Sequence, residues 1–147
     1  MGATHSLLVM AALAGVALGC NGGASERSRD EERARIQAGG ELFASYCASC
    51  HGRDARGKGP VASALTVPPA DLTRIAARRG GRFEASEVAA YIDGRTDVLA
   101  HGRREMPVWG RIFDDRNQNL MSDETLLSPG MIFAITAHLR SIQVAGQ

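Results

Sequence analysis

The sequence predicts an all-α protein of four or five short helices joined by long loops. Three observations carry this reading. Apolar residues recur at helical spacing in several windows, no window alternates as a half-buried strand would, and glycine and proline clusters break the chain between the helical windows. At 147 residues there is room for one domain. The composition, 44% hydrophobic and 22% charged, is that of a globular protein. A net charge of +1 argues against strong attraction to nucleic acid or to an anionic membrane surface.

Residues 1–19 read as an export signal. Residues 7–18 form an apolar run of the length of a signal core, too short to span a bilayer. The run closes on Ala17-Leu18-Gly19-Cys20, which resembles the lipobox of bacterial lipoproteins, whose cysteine becomes the lipidated N-terminus. Cys20 is thus the candidate lipidation site, with ordinary secretion and nearby cleavage as the alternative. Residues 20–35 are Gly, Ser and mixed charge with almost nothing apolar, so they cannot offset their ordering entropy and are expected to form a flexible tether. The folded domain is expected over residues 36–145, in the periplasm or on the envelope side, anchored to a membrane.

The first helix is expected over about residues 31–47, where Ile36, Gly40, Phe43 and Cys47 share a face. Gly39 and Gly40 inside it would cost roughly 1 kcal/mol each against Ala, which predicts another element crossing closely there. Residues 53–69 read as loop, broken by Gly57-Lys58-Gly59-Pro60 and Val67-Pro68-Pro69. Asp71 caps a short helix that stops at Gly80 and Gly81. Ser86 starts another, with Val88, Tyr91 and Ile92 on one face and Gly94 as its stop. Residues 99–118 lack helical periodicity and hold Met106, Pro107 and Trp109. The last helix opens on Ser128 as cap and Pro129 at its first position, and Ile132, Ile135, Leu139 and Ile142 form its stripe. With 5% aromatic residues and long loops, such a chain is poor at burying a core unaided, and a bound group is expected in its middle.

That group is addressed by Cys47-Ala48-Ser49-Cys50-His51-Gly52. A disulfide of the thiol-exchange kind sits at a helix start inside a βαβ unit, and no strands are predicted to supply one. Structural zinc wants four ligands, yet beyond His51 only His101 and His138 follow, far apart, and no cysteine remains. Haem fits the chemistry. Two thiols add across the porphyrin vinyl groups as thioethers, a two-residue gap on a helical turn puts both sulfurs over one ring edge, and the next residue, His51, lies under the iron.

Over about residues 36–143 the sequence resembles the class I, mono-haem c-type cytochromes. Gly40, Phe43 and Tyr46 match the glycine and aromatics ahead of that family's attachment motif, and Gly57-Lys58-Gly59-Pro60, Pro68-Pro69-Ala70-Asp71-Leu72 and Met106-Pro107-Val108-Trp109-Gly110 match later segments. The resemblance implies a cytochrome c-like fold wrapped around one covalent haem c. It implies that Cys47 and Cys50 hold the porphyrin, that His51 and Met106 ligate the iron, and that the Pro60 carbonyl accepts a hydrogen bond from the far nitrogen of His51. It also implies that the last helix crosses the first near Gly40. Of the methionines after His51, Met121 lies in a polar stretch and Met131 in the last helix, whereas Met106 stands in a loop able to bend over a haem face. His101 is the rival distal ligand. Trp109 is read as packing on the haem, donating to a propionate, or filling the core. His138 stands where the family carries an aromatic before its helix leucine, with Phe133 as a possible substitute.

The function implied is one-electron transfer between redox protein partners such as an oxidase, a dehydrogenase or another cytochrome. With both axial positions filled, the domain itself is not expected to be an enzyme. The alternative is a haem catalyst or gas sensor with an open distal position. Residues 53–82 carry seven basic side chains against Asp54 and Asp71, either a steering surface for an acidic partner or a solvated face. Residues 110–128 exceed what a minimal family member needs, as an interaction loop or as decoration.

Overall fold

The computed structural model describes residues 22–95, 106–119 and 128–144. The helices are α1 (Gly22–Tyr46), α2 (Ala48–His51), α3 (Ala85–Asp93), α4 (Trp109–Asn119) and α5 (Ser128–Ser141), with short 3₁₀ turns at Ala62–Ala64, Leu72–Arg74 and Ala77–Arg79. Among the described residues there is no strand, and no helix is long and apolar enough to cross a membrane. The chain divides into two compact units, Met1–Arg33 and Ala34–Gln147.

In the first unit the described part is the leading stretch of α1. Residues 22–35 were expected to be a flexible tether, and they are helical instead. Polar composition denies this stretch a buried face without denying it a helix: Asp30 and Arg33, one turn apart, pair at 3.1 Å.

In the second unit α5 packs on α3 and α4, and its stripe Ile132, Ile135 and Leu139 is buried together with Phe43 of α1 and Phe113 of α4. The predicted crossing of the first and last helices is present. A methyl group on Gly39 would overlap the backbone carbonyl of Ala134, and one on Gly40 would meet the His138 ring at 3.3 Å. The glycines therefore let two helix backbones approach where any side chain would hold them apart. His138 fills the family's aromatic position, its ring 5.5 Å from that of Phe43. Phe133 does not substitute for it, being 60% exposed on the opposite side of the helix stripe.

Two further expectations are corrected. Tyr91 is 39% exposed, and Ala89 takes its place beside Val88 and Ile92 in the buried face of α3. The stretch read as non-helical contains α4, whose apolar residues Trp109, Ile112 and Phe113 all fall in its opening turns, ahead of a polar remainder that hides the period. The cap at Asp71 and the stops at Gly80 and Gly94 were read correctly, whereas α3 opens on Ala85, one residue before Ser86. Asp71 accepts from the Thr73 amide at 2.9 Å, and Gly80 and Gly94 end their segments with φ of 65° and 71°.

Candidate haem site

The site begins where α1 ends. The Cys47 amide still donates to the Phe43 carbonyl at 2.9 Å, after which the chain turns and α2 carries Ala48, Ser49, Cys50 and His51. A helix this short leaves every carbonyl of its C-terminal turn without a partner inside it. The following loop supplies all four. The Gly52 amide donates to Ala48 O (2.9 Å), Val61 to Ser49 O (3.1 Å), Gly59 to Cys50 O (3.0 Å) and Gly57 to His51 O (2.8 Å). This wrapping fixes α2 and sets the direction in which its side chains leave it.

The glycines of Gly57-Lys58-Gly59-Pro60 make that path possible. A methyl on Gly59 would overlap Ser49 O, and one on Gly57, which has φ of 78°, would overlap Pro69 O. Ala55 is the one described non-glycine residue with positive φ, 59°, and it is fully buried. Its carbonyl accepts from the Leu72 amide at 2.7 Å, which fastens the 69–72 segment alongside α2.

That segment carries the partner of His51. The imidazole Nδ1–H donates to the Ala70 carbonyl at 3.1 Å, not to Pro60 as expected. The reason lies in the loop path: residues 59 and 61 are both tied to the back of α2, leaving Pro60 exposed between them, while Gly57 allows Pro69 and Ala70 to close in. A carbonyl can only accept, so the ring proton sits on Nδ1 and Nε2 carries a lone pair. Burial pushes the His51 pKa below its ordinary value, with the Ala70 bond acting weakly in the other sense. The ring is thus held neutral, the form that ligates a metal.

Both thiols are free rather than joined in a disulfide, Cys47 buried and Cys50 half-buried. Burial, with the neighbouring Cys50 adding to it, pushes the Cys47 thiol up to about 12. This is the reverse of the low-pKa thiolate that thiol exchange requires. Among the described residues no three His, Cys, Asp or Glu side chains gather as a metal cluster. Two neighbouring free thiols followed by a neutral imidazole with a free Nε2 fit an iron porphyrin held through its edge and its metal.

Met106 belongs to the segment that leads into α4. It is half-buried and packs against the core, three residues before α4. Val108 accepts from the amides of Arg111 and Ile112, so the Met106-Pro107-Val108 segment continues directly into α4. Trp109 packs between Tyr46 and Phe113, with ring centroids 5.8 and 5.5 Å away, and Tyr46 meets Phe113 edge-on at 5.2 Å. This cluster joins the residue before Cys47 to the segment after Met106. Met131 is buried in α5 as core filling, whereas Cys20, His101 and Met121 lie outside the described residues.

Sequence reasoning passed over Ala55, Ala70, Phe113 and Gln143. The last ties three segments together: its Oε1 accepts from the Ala76 amide at 2.9 Å, and its Nε2 donates to Leu72 O and Leu139 O at 2.8 and 2.6 Å. No local pattern announces such a residue, because Leu72 and Ala76 are remote from it in sequence.

Comparison with protein families gives a match. Residues 34–122, more than half of the chain, match the family described as cytochrome c oxidase, cbb3-type, subunit III. No curated protein and no solved structure matches. The matched span holds Cys47, Cys50, His51, the glycine loop, Met106 and Trp109, on an all-α framework. The chain therefore belongs to the cbb3-type cytochrome c oxidase subunit III family: it is a c-type cytochrome domain that binds haem c covalently and serves electron transfer.

Proposed function

We propose that this protein is an exported mono-haem carrier that passes single electrons between redox proteins, with Cys47 and Cys50 as the thioether attachments and His51 and Met106 as the axial ligands. The observation that carries the reading is the Nδ1–H of His51 held on Ala70 O beside two free thiols on the same turn. Haem, when bound, supplies the one-electron couple. His51 offers Nε2, and the Ala70 carbonyl orients the ring and raises its basicity. Met106 offers a soft thioether, which favours the reduced state and hence a comparatively high potential. Trp109, stacked in the cluster with Tyr46 and Phe113, packs next to the residue that precedes Cys47.

The donor and acceptor are redox proteins of the respiratory kind, an oxidase complex among them, given the family's printed description. We assign residues 1–19 to an export signal, Cys20 to a lipid anchor on the periplasmic side and residues 36–145 to the cytochrome domain, with the helical 22–35 stretch as the spacer. In the ferric protein the methionine-to-iron charge-transfer band is expected, and Met106→Ala is expected to abolish it. A wild-type protein without that band, whose reduced form binds carbon monoxide rapidly, would instead be a haem catalyst or gas sensor. For the anchor, Cys20→Ser is expected to release the protein from membranes, and retention on the membrane would contradict it.

A further inference from the structure

One side chain at the end of α3, that of Arg95, reaches a carboxylate of α4. Arg95 lies two residues beyond the last residue of α3, and its Nε and Nη2 donate to the two oxygens of Asp93 at 2.8 and 2.6 Å. Its Nη1 donates to Asp114 of α4 at 2.5 Å. The Arg95 backbone amide also donates to Asp93, at 3.1 Å. Gly110, in the opening turn of α4, packs directly on this group: a methyl there would lie 2.7 Å from Asp93 Oδ1 and 2.8 Å from Arg95 Nε.

Global stability is a poor explanation for this arrangement. The side chains of Arg95 and Asp114 are 40% and 39% exposed, and pairs so exposed contribute little to folding. Asp93 moreover sits at the C-terminal end of α3, where the helix dipole disfavours a carboxylate. What a planar guanidinium bonded on both edges does supply is geometry, since it fixes distance and rotation together. The other contacts of α4 are apolar: Trp109 and Phe113 pack on Tyr46, and Phe113 is buried with the stripe of α5, which is attractive but fixes rotation less tightly than directed hydrogen bonds. Met106 stands three residues before α4 and is joined to it through Val108, so the placement of α4's first turn is the placement of Met106.

We propose that Arg95 is the positioning residue for Met106, bridging Asp93 at the end of α3 to Asp114 in the second turn of α4 so that the opening of α4 is fixed and the thioether is presented to the iron. This rests on reading Met106 as the axial ligand. The clamp acts on a local equilibrium, the lifting of the Met106 segment, rather than on unfolding of the domain.

The test uses the haem-loaded ferric protein and imidazole, which occupies the iron when Met106 leaves it. Imidazole is titrated while the methionine charge-transfer band is followed, and the denaturant midpoint of each variant is measured in parallel. Arg95→Gln is expected to raise the apparent imidazole affinity on the order of fivefold. Arg95→Lys is expected to rescue it only in part, because an ammonium cannot bridge both carboxylates in one plane. Asp114→Asn, which leaves the Asp93 pair intact, is expected to shift affinity in the same direction by less, and it serves if Arg95→Gln fails to mature. A lowered denaturant midpoint with unchanged imidazole affinity would make Arg95 merely structural and overturn the proposal. A wild-type band that Met106→Ala abolishes but neither Arg95→Gln nor Asp114→Asn weakens against imidazole would overturn the proposal alone. Absence of the band from the wild type would overturn the ligand reading and the proposal together.

Discussion

The imidazole Nδ1 of His51 lies 3.1 Å from the carbonyl oxygen of Ala70, nineteen residues further along the chain. Two close approaches make the contact possible: Gly57 beneath Pro69, and the buried Ala55 carbonyl on the Leu72 amide. A ligand ring is thus oriented by a loop that itself is held on the C-terminal carbonyls of the short helix carrying the ligand.

Gly57→Ala tests that arrangement. The methyl overlaps Pro69 O and the residue must keep φ of 78°, so a loss of about 2 kcal/mol or more is expected in denaturant titration of the haem-loaded protein. Gly80→Ala is the comparison, because φ there is 65° but no atom lies within 4 Å of the added methyl. Its expected cost is about 1 kcal/mol from backbone conformation alone. Equal losses for the two would show that Pro69 is not in the way.

Gly39→Ala is expected to cost at least about 2 kcal/mol, by driving α1 away from the Ala134 carbonyl of α5. A thermal melt that does not move would place the two helices further apart than they are found here.

The helix crossing also gives a pH dependence. Burial holds the His138 pKa below its ordinary 6.5, so the fold favours the neutral ring. Its contribution is complete above the unfolded value and is lost as pH falls toward the lower folded one, so stability should decline as pH falls below 6.5. His138→Phe, which keeps a ring against Phe43, is expected to flatten that part of the profile in the haem-loaded protein. An unchanged slope would assign the decline to other groups.

Gln143→Leu leaves the Ala76 amide and the Leu72 carbonyl without their side-chain partner at a half-buried position. A loss of about 1–3 kcal/mol in a denaturant titration is expected. A neutral result would mean that water replaces the amide without loss.

How far the sequence reached follows from what each feature depends on. The stripe of α5 and the stops at Gly80 and Gly94 depend on residues a few positions apart, and they were legible. Gly39 and Gly40 announced a crossing because glycine inside a helix is costly without one. α4 was missed because its apolar residues are confined to its opening turns, and the helicity of residues 22–35 because polarity was taken for disorder. Pro60 was named in place of Ala70 because a carbonyl acceptor carries no side-chain signature; which one reaches His51 is decided by the loop's path through space. The family was legible because two thiols and an imidazole on one turn have few chemical uses.

The most direct measurement is a mass map of the mature protein after tryptic digestion. Cleavage after Arg35 and Arg53 yields residues 36–53, which contain Cys47, Cys50 and His51. This peptide is expected to carry the mass of one haem, through both cysteines, and to keep it under acid extraction. The same peptide recovered with free thiols or an internal disulfide, and with the haem extractable, would contradict the assignment of Cys47 and Cys50.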